Sequence, residues 1–196
     1  MKIAKALSSI AAGALLCAAL PAAAFSQATR NQYVADFGAG FSQATVRKAQ
    51  MGLACLDLQV GKMLTNNISV GLSTGFDVCS FRAVDYPAGG TVYERLGVIP
   101  ILAKARYYIN IAPLTHIYAS VAAGAYQTVP HLNTTPIGGV WHAGIHPGGA
   151  VSVGFDYYLF GMKGLGAEFE YNFFDSDSDD IFSYFAVRLK YSMIKR

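Results

Sequence analysis

Phe185-Ala-Val-Arg-Leu-Lys-Tyr-Ser-Met193 alternates large apolar residues with polar or small ones almost to the C-terminus. Phe185, Val187, Leu189, Tyr191 and Met193 share one parity, and Tyr184, Ala186, Arg188, Lys190 and Ser192 share the other. Successive side chains of a strand point to opposite faces, so this stretch predicts a strand with one apolar and one charged face. In water the apolar face would lie on a core and the strand would lead into ordinary loop. In a bilayer the arrangement is reversed. Backbone groups find no water in lipid, so a sheet must close on itself, with apolar faces outward and polar faces inward.

Upstream, seven more segments show the same period of two, and no long stretch of helical periodicity separates them. They run over about Tyr33–Phe41, Leu53–Lys62, Ile68–Asp77, Leu96–Ile109, His116–Tyr126, Gly149–Tyr157 and Leu165–Phe173. In the first, Tyr33, Phe37 and Phe41 oppose Val34, Asp36 and Gly38. In the seventh, Leu165, Phe169 and Tyr171 oppose Gly166, Glu168 and Glu170. The fifth is Ala-rich and the weakest of the set. Pro100 lies inside the fourth and has no N–H to donate, which predicts a bulge or local break there.

The connections near 64–67, 110–115 and 158–164 are short, whereas those near 42–52, 77–95, 127–148 and 174–182 are mostly longer and more polar. Short turns on one side and longer loops on the other are expected of a membrane barrel with an even strand number, both termini lying on the short-turn, periplasmic side. The fold class expected is therefore all-β: an eight-stranded, antiparallel, up-and-down transmembrane β-barrel.

The N-terminus points to the same compartment. A short basic region (Lys2, Lys5) precedes an apolar run over 6–20, then Pro21 and Ala22-Ala23-Ala24, with Ser26-Gln27-Ala28 beyond. This pattern reads as a secretory signal peptide over 1–28, cleaved after Ala24 or Ala28, leaving a barrel domain over 29–196. Cys17 would leave with the leader. Loss of Lys2 and Lys5 takes the 15 basic residues to 13 against 12 acidic ones, so the formal charge falls from +3 to +1. That balance gives no electrostatic case for nucleic acid. The sequence is 53% hydrophobic, yet past the leader no segment approaches the roughly 18 continuous apolar residues of a transmembrane helix. Alternation resolves that combination, because it hides apolar strands from a sliding window.

The hairpin Leu56-Asp-Leu-Gln-Val-Gly-Lys-Met-Leu-Thr-Asn-Asn-Ile-Ser-Val-Gly-Leu72, the segment Ile99-Pro-Ile-Leu-Ala-Lys-Ala-Arg-Tyr-Tyr-Ile109 and the last strand together resemble the small outer-membrane β-barrels of the OmpA transmembrane-domain and OmpX type. The resemblance covers essentially the whole mature sequence. It implies a bacterial outer-membrane location, and partners among outer-membrane lipid and lipopolysaccharide. It also implies a C-terminal assembly signal (Phe185, Val187, Leu189, Tyr191, Met193) read by the barrel-insertion machinery. The chain departs from that signal in ending Met193-Ile-Lys-Arg196 rather than on an aromatic residue.

Charges inside a narrow barrel need partners. Antiparallel neighbours oppose each other at constant residue-number sum and share a face. A last hairpin centred near Asp179 would set Glu170 opposite Arg188 and Glu168 opposite Lys190. Asp36, Asp57, Lys104 and Arg106 would complete an interior network of mixed sign, plugging a lumen that about eight strands leave only wide enough for side chains. The same arithmetic centres a Cys55–Cys79 pair near Asn67. A cross-strand disulfide there would stabilise by about 3 kcal/mol. The alternative is two reduced thiols in small lumen positions.

Catalysis would need a nucleophile, a base and an orienting acid together at the outer rim. His131, His142 and His146 lie in or beside the third long connection and Ser80 in the second, without the His-x-Ser element of lipid A deacylases. His142 and His146 are too few to hold a metal, and Gly144, Pro147 and Gly148 suggest a turn there. Asp175-Ser-Asp-Ser-Asp-Asp180 lacks the Gly and Glu of a calcium loop and reads as a solvated acidic loop. The aromatic, Gly-rich stretch with Phe81, Tyr86, Pro87, Gly89-Gly90 and Tyr93 suits either a surface or host partner or a cover for the barrel mouth. The expectation is a non-enzymatic outer-membrane barrel with a structural or surface-interaction role (adhesion or envelope integrity), without cofactor or metal. The alternatives are a lipid A-modifying enzyme, a weakly conducting small porin, or a soluble periplasmic barrel carrying a lipophilic ligand.

Overall fold

In the computed structural model the described residues are 31–45, 49–85, 91–112, 114–129, 143–159, 163–175 and 181–195. The leader, Cys17, His131, His142, Tyr86, Pro87, Gly89-Gly90 and most of the acidic loop lie outside them. Eight strands follow in chain order: β1 (Tyr33–Ala44), β2 (Ala49–Met63), β3 (Ile68–Asp85), β4 (Thr91–Ala112), β5 (Thr115–Val129), β6 (Gly144–Tyr158), β7 (Lys163–Asp175) and β8 (Ile181–Lys195). Each pairs antiparallel with its sequence neighbours, and β8 pairs with β1 from Ala44–Tyr184 to Tyr33–Lys195, so the sheet closes into a barrel. Among the described residues no helix is long and apolar enough to cross a membrane.

Closure depends on a close approach at the seam. A Cβ on Gly40 would sit 1.8 Å from the Val187 carbonyl oxygen, so only glycine lets β1 meet β8 there. The short turn from β2 to β3 is held locally: Thr65 Oγ1 accepts from the Asn67 and Ile68 amides at 3.2 and 3.0 Å. Asn67 in turn donates its Nδ2 to the Tyr108 carbonyl at 2.9 Å, fastening the turn to β4.

Among the residues whose burial is described, the expected faces recur on every strand. Leu189 is 76% exposed and Leu72 67%, whereas Arg188, Lys190 and Glu168 are at most 2% exposed. The apolar side is outside and the charged side is inside. That inversion excludes a water-soluble barrel with an apolar cavity, whose faces would be exchanged.

The interior is layered. Toward the long connections, Leu96, Val98, Leu102, Tyr126, Phe174, Phe182 and Tyr184 pack together. Toward the short turns, Val34, Met63, Tyr108, Tyr118, Tyr158 and Ile194 form a second apolar layer. The charges lie between the two.

The structure corrects three expectations and bears out a fourth. In the last hairpin Glu168 opposes Arg188 and Glu170 opposes Ala186, a register two residues from the one expected. In the β2–β3 hairpin Cys55 opposes Asp77, while Cys79 opposes Leu96 on β4. Both cysteines are buried free thiols, so the disulfide is not formed. Register follows the turn, and the Leu64–Ile68 backbone bond closes this turn one residue earlier than a centre at Asn67 requires. At Pro100 the register does not shift, since Thr74–Ile101 and Asp77–Val98 agree, but the β3–β4 pairing is interrupted there, with Gly75 and Phe76 unpaired to β4, which is the local break expected. Register shifts fall between Gly40 and Ser42, Gln50 and Cys55, Arg82 and Val84, and Asn110 and Ala112. Finally, Gly144–Gly148 is not a turn but the first part of β6, paired with β5 from Thr128–Gly144 onward.

Candidate functional site: the charged belt of the lumen

The candidate site is the middle of the lumen, where parity delivers ion-paired charges from six strands to one level. Glu168 of β7 is its hub. Its carboxylate lies 2.9 Å from Lys104 Nζ, 3.4 Å from Arg106 Nη2, 3.6 Å from Lys190 Nζ and 3.8 Å from Arg188 Nη1. It also accepts the Tyr118 hydroxyl at 2.7 Å. One carboxylate thus touches all four inward cations of the described residues.

The cations are in turn shared. Lys104 reaches Glu170 at 2.7 Å. Arg106 donates to Asp36 at 2.6 Å, to Gln59 at 2.5 Å and to the Tyr108 hydroxyl oxygen at 2.9 Å. Arg188 donates to Glu170 at 2.7 Å, to Asp77 at 3.1 Å and, through Nε, to Cys55 Sγ at 2.8 Å. Lys190 lies 3.3 Å from Asp36 and 3.7 Å from Asp156, and donates to Tyr118 at 2.7 Å. Tyr118 is held over Gly154, where a Cβ would fall 2.3 Å from its hydroxyl oxygen. Its ring also meets two cations, with Arg106 at 4.2 Å and Lys190 at 4.5 Å from the centroid.

Seven of the eight residues expected in the network are therefore joined. Glu170 and Arg188 meet as expected, as do Glu168 and Lys190, although each pair is diagonal rather than directly opposed. Asp57 is the exception. It is inward and buried, but no cation among the described residues lies within ion-pair distance, and its Oδ2 has no hydrogen-bond partner.

Sequence reasoning missed Asp77, Asp156 and the tyrosines as members. Tyr184 donates to Asp77 at 2.7 Å, and Ser192 donates to Asp156 at 3.2 Å. All share inward parity, and that signal was available. Toward the long connections the belt continues through Asn172, which donates to Glu170 at 3.2 Å and accepts from Tyr126 at 2.9 Å.

A histidine stands near each end of the lumen. His146 packs on Phe174 with ring centroids 5.7 Å apart and meets Thr128 Oγ1 at 3.2 Å. His116 meets Asn110 and lies edge-on to Tyr158 at 5.2 Å. Ser80 is buried on β3, where it opposes Arg95. Among the described residues no three His, Cys, Asp or Glu side chains form a group that could hold a metal ion.

The two layers and the belt determine what the arrangement can do. Charges this dry are tolerable only when compensated, and replacing a partner leaves an uncompensated charge. The network is therefore a strong lock on the lumen.

No family model matches the chain, and no curated protein sequence matches it. Solved structures do. Neisserial surface protein A is similar at 12% identity and a TM-score of 0.55, covering 83% of this chain and 95% of that one. The outer membrane protein OprG from Pseudomonas aeruginosa is similar at 12% identity and 0.54, covering 86% and 99%. The outer membrane protein AlkL, solved in lipid bilayers, is similar at 15% identity and 0.50, covering 90% and 94%. In fold, then, the chain is a closed eight-stranded barrel of the kind found in small bacterial outer-membrane proteins of the OmpA and OmpX type.

Proposed function

We propose that the protein is a non-enzymatic integral protein of the bacterial outer membrane, with a structural or surface-interaction role. The carrying observation is Glu168 held by four cations in a lumen capped on both sides by apolar layers. A closed, ion-paired interior supports an anchor rather than a pore. The apolar exterior takes lipid, and the long connections are the part free to meet lipopolysaccharide or a surface partner. The barrel-insertion machinery is its expected partner during assembly.

The test combines location, fold and closure. The protein should fractionate with the outer membrane and migrate differently when unboiled, and in planar bilayers it should give no steady conductance. Recovery in the soluble periplasm would defeat the reading, and a reproducible conductance would replace it with a small porin. Alanine at His131, His142 and His146 should leave lipid A composition unchanged. A changed composition would establish the enzyme instead.

A further inference from the structure

We propose that the outside of the barrel carries a binding site for one anionic phospholipid of the inner leaflet, an inference that rests on the membrane reading above. Two features of the exterior meet there. Among the described residues, the exposed cations of the short-turn rim are confined to one arc. Lys62 and Lys195 flank Tyr33 as its cross-strand partners, and Lys163 opposes Met193 one rung above. Lys62 Nζ lies 5.9 Å from the Tyr33 ring centroid. Among the described residues none of these lysines has an ion pair. On β3 to β6 the described rim residues include no lysine or arginine, and Ile68, Ile111, Leu114 and Leu159 are exposed there.

Above Lys163 on the same strand, the outer wall is hollowed. A groove of about 550 Å³ opens over the small residues Ala119 and Ala167, walled by Ile117, Phe155, Phe169 and Val187 among others. Ala167 is four residues from Lys163, about 13 Å along the strand and about 10 Å in depth once strand tilt is included. That depth falls within the roughly 15 Å of hydrocarbon in one leaflet. A phosphate between Lys163 and Lys195 therefore places an acyl chain of the same molecule at the groove. Charge complementarity selects the head, and the hollow accepts the tail.

Native mass spectrometry of the folded full chain tests this, titrating phosphatidylglycerol against phosphatidylcholine of equal chain length. One phosphatidylglycerol should bind about tenfold more tightly than phosphatidylcholine. The double variant K163Q/K195Q should lose that preference, while K163R/K195R should keep it. A167F, which fills the hollow, should weaken both lipids several-fold with the headgroup preference intact. Equal binding of the two lipids by the native chain, or a preference that survives K163Q/K195Q, overturns the site. Heat-modifiable migration is read on each sample. If the native chain lacks it, the membrane reading has failed; if it is present without lipid preference, only the lipid site has.

Discussion

On β7, Glu168 and Glu170 point inward to named atoms of Lys104, Arg106, Arg188 and Lys190, while Leu165 and Phe169 of the same strand point outward and are about half exposed, Phe169 stacking on Phe185. The two faces share one backbone and differ in what they require. Inside, one misplaced atom leaves a charge uncompensated, so identity and geometry both matter. Outside, the stability of the barrel asks chiefly for apolar character, and shape matters only where a hollow such as the one over Ala119 and Ala167 could receive a chain.

Breaking the inner face should cost most. Glu168→Ala leaves four buried cations short of their shared partner and should destabilise the barrel by roughly 3–5 kcal/mol. Urea unfolding in vesicles would show the lost stability, and an unchanged midpoint would refute the hub. Next, Val153→Arg breaks the outer face by polarity alone and should cost about 2–4 kcal/mol if it lies near the midplane. Val153→Leu at the same place should be close to neutral, and a large loss there would mean the outside is as particular as the inside. Tyr118→Phe removes one hydroxyl that joins Glu168 to Lys190 and should cost about 1–3 kcal/mol. The smallest effect is expected inside the belt itself. Asp57→Asn, which breaks no ion pair, should change stability by less than about 1 kcal/mol. A cost near that of Glu168→Ala would reveal a partner for Asp57 and blur the distinction between compensated and merely enclosed charge.

The two faces also differ in how they could be read from sequence. Parity is local: it follows from alternation, and it placed Asp36, Lys104, Arg106, Glu168, Glu170, Arg188 and Lys190 inside without knowledge of any partner. Register is not local, because a turn that closes one residue earlier moves every cross-strand pair by two. The consequence depends on side-chain length. Glu170 and Arg188 still meet across a diagonal of roughly 7–8 Å between Cα atoms, since both are long. Cys55 and Cys79 tolerate no such shift, because a disulfide requires Cα atoms within about 7 Å. Gly144–Gly148 misled for a related reason. Gly148 looks like a turn residue in isolation, but in the barrel a Cβ there would meet Phe174 Cβ at 2.7 Å, so its smallness serves packing. The strand ends were also hidden, since β3 runs to Asp85 and β4 begins at Thr91, inside a stretch whose composition suggested loop.

The belt draws its cations from β4 and β8 and its acids from β1, β3, β6 and β7, so it cannot be completed by neighbouring strands alone. A partly built sheet would hold Lys104 and Arg106 without Glu168, and β7 would hold Glu168 and Glu170 before β8 delivers Arg188 and Lys190. Each such stage is penalised in a dry environment, and the penalty is relieved only when β8 docks on both β7 and β1. The belt is therefore an index of closure: its paired charges are all compensated only in the barrel whose last strand has met its first.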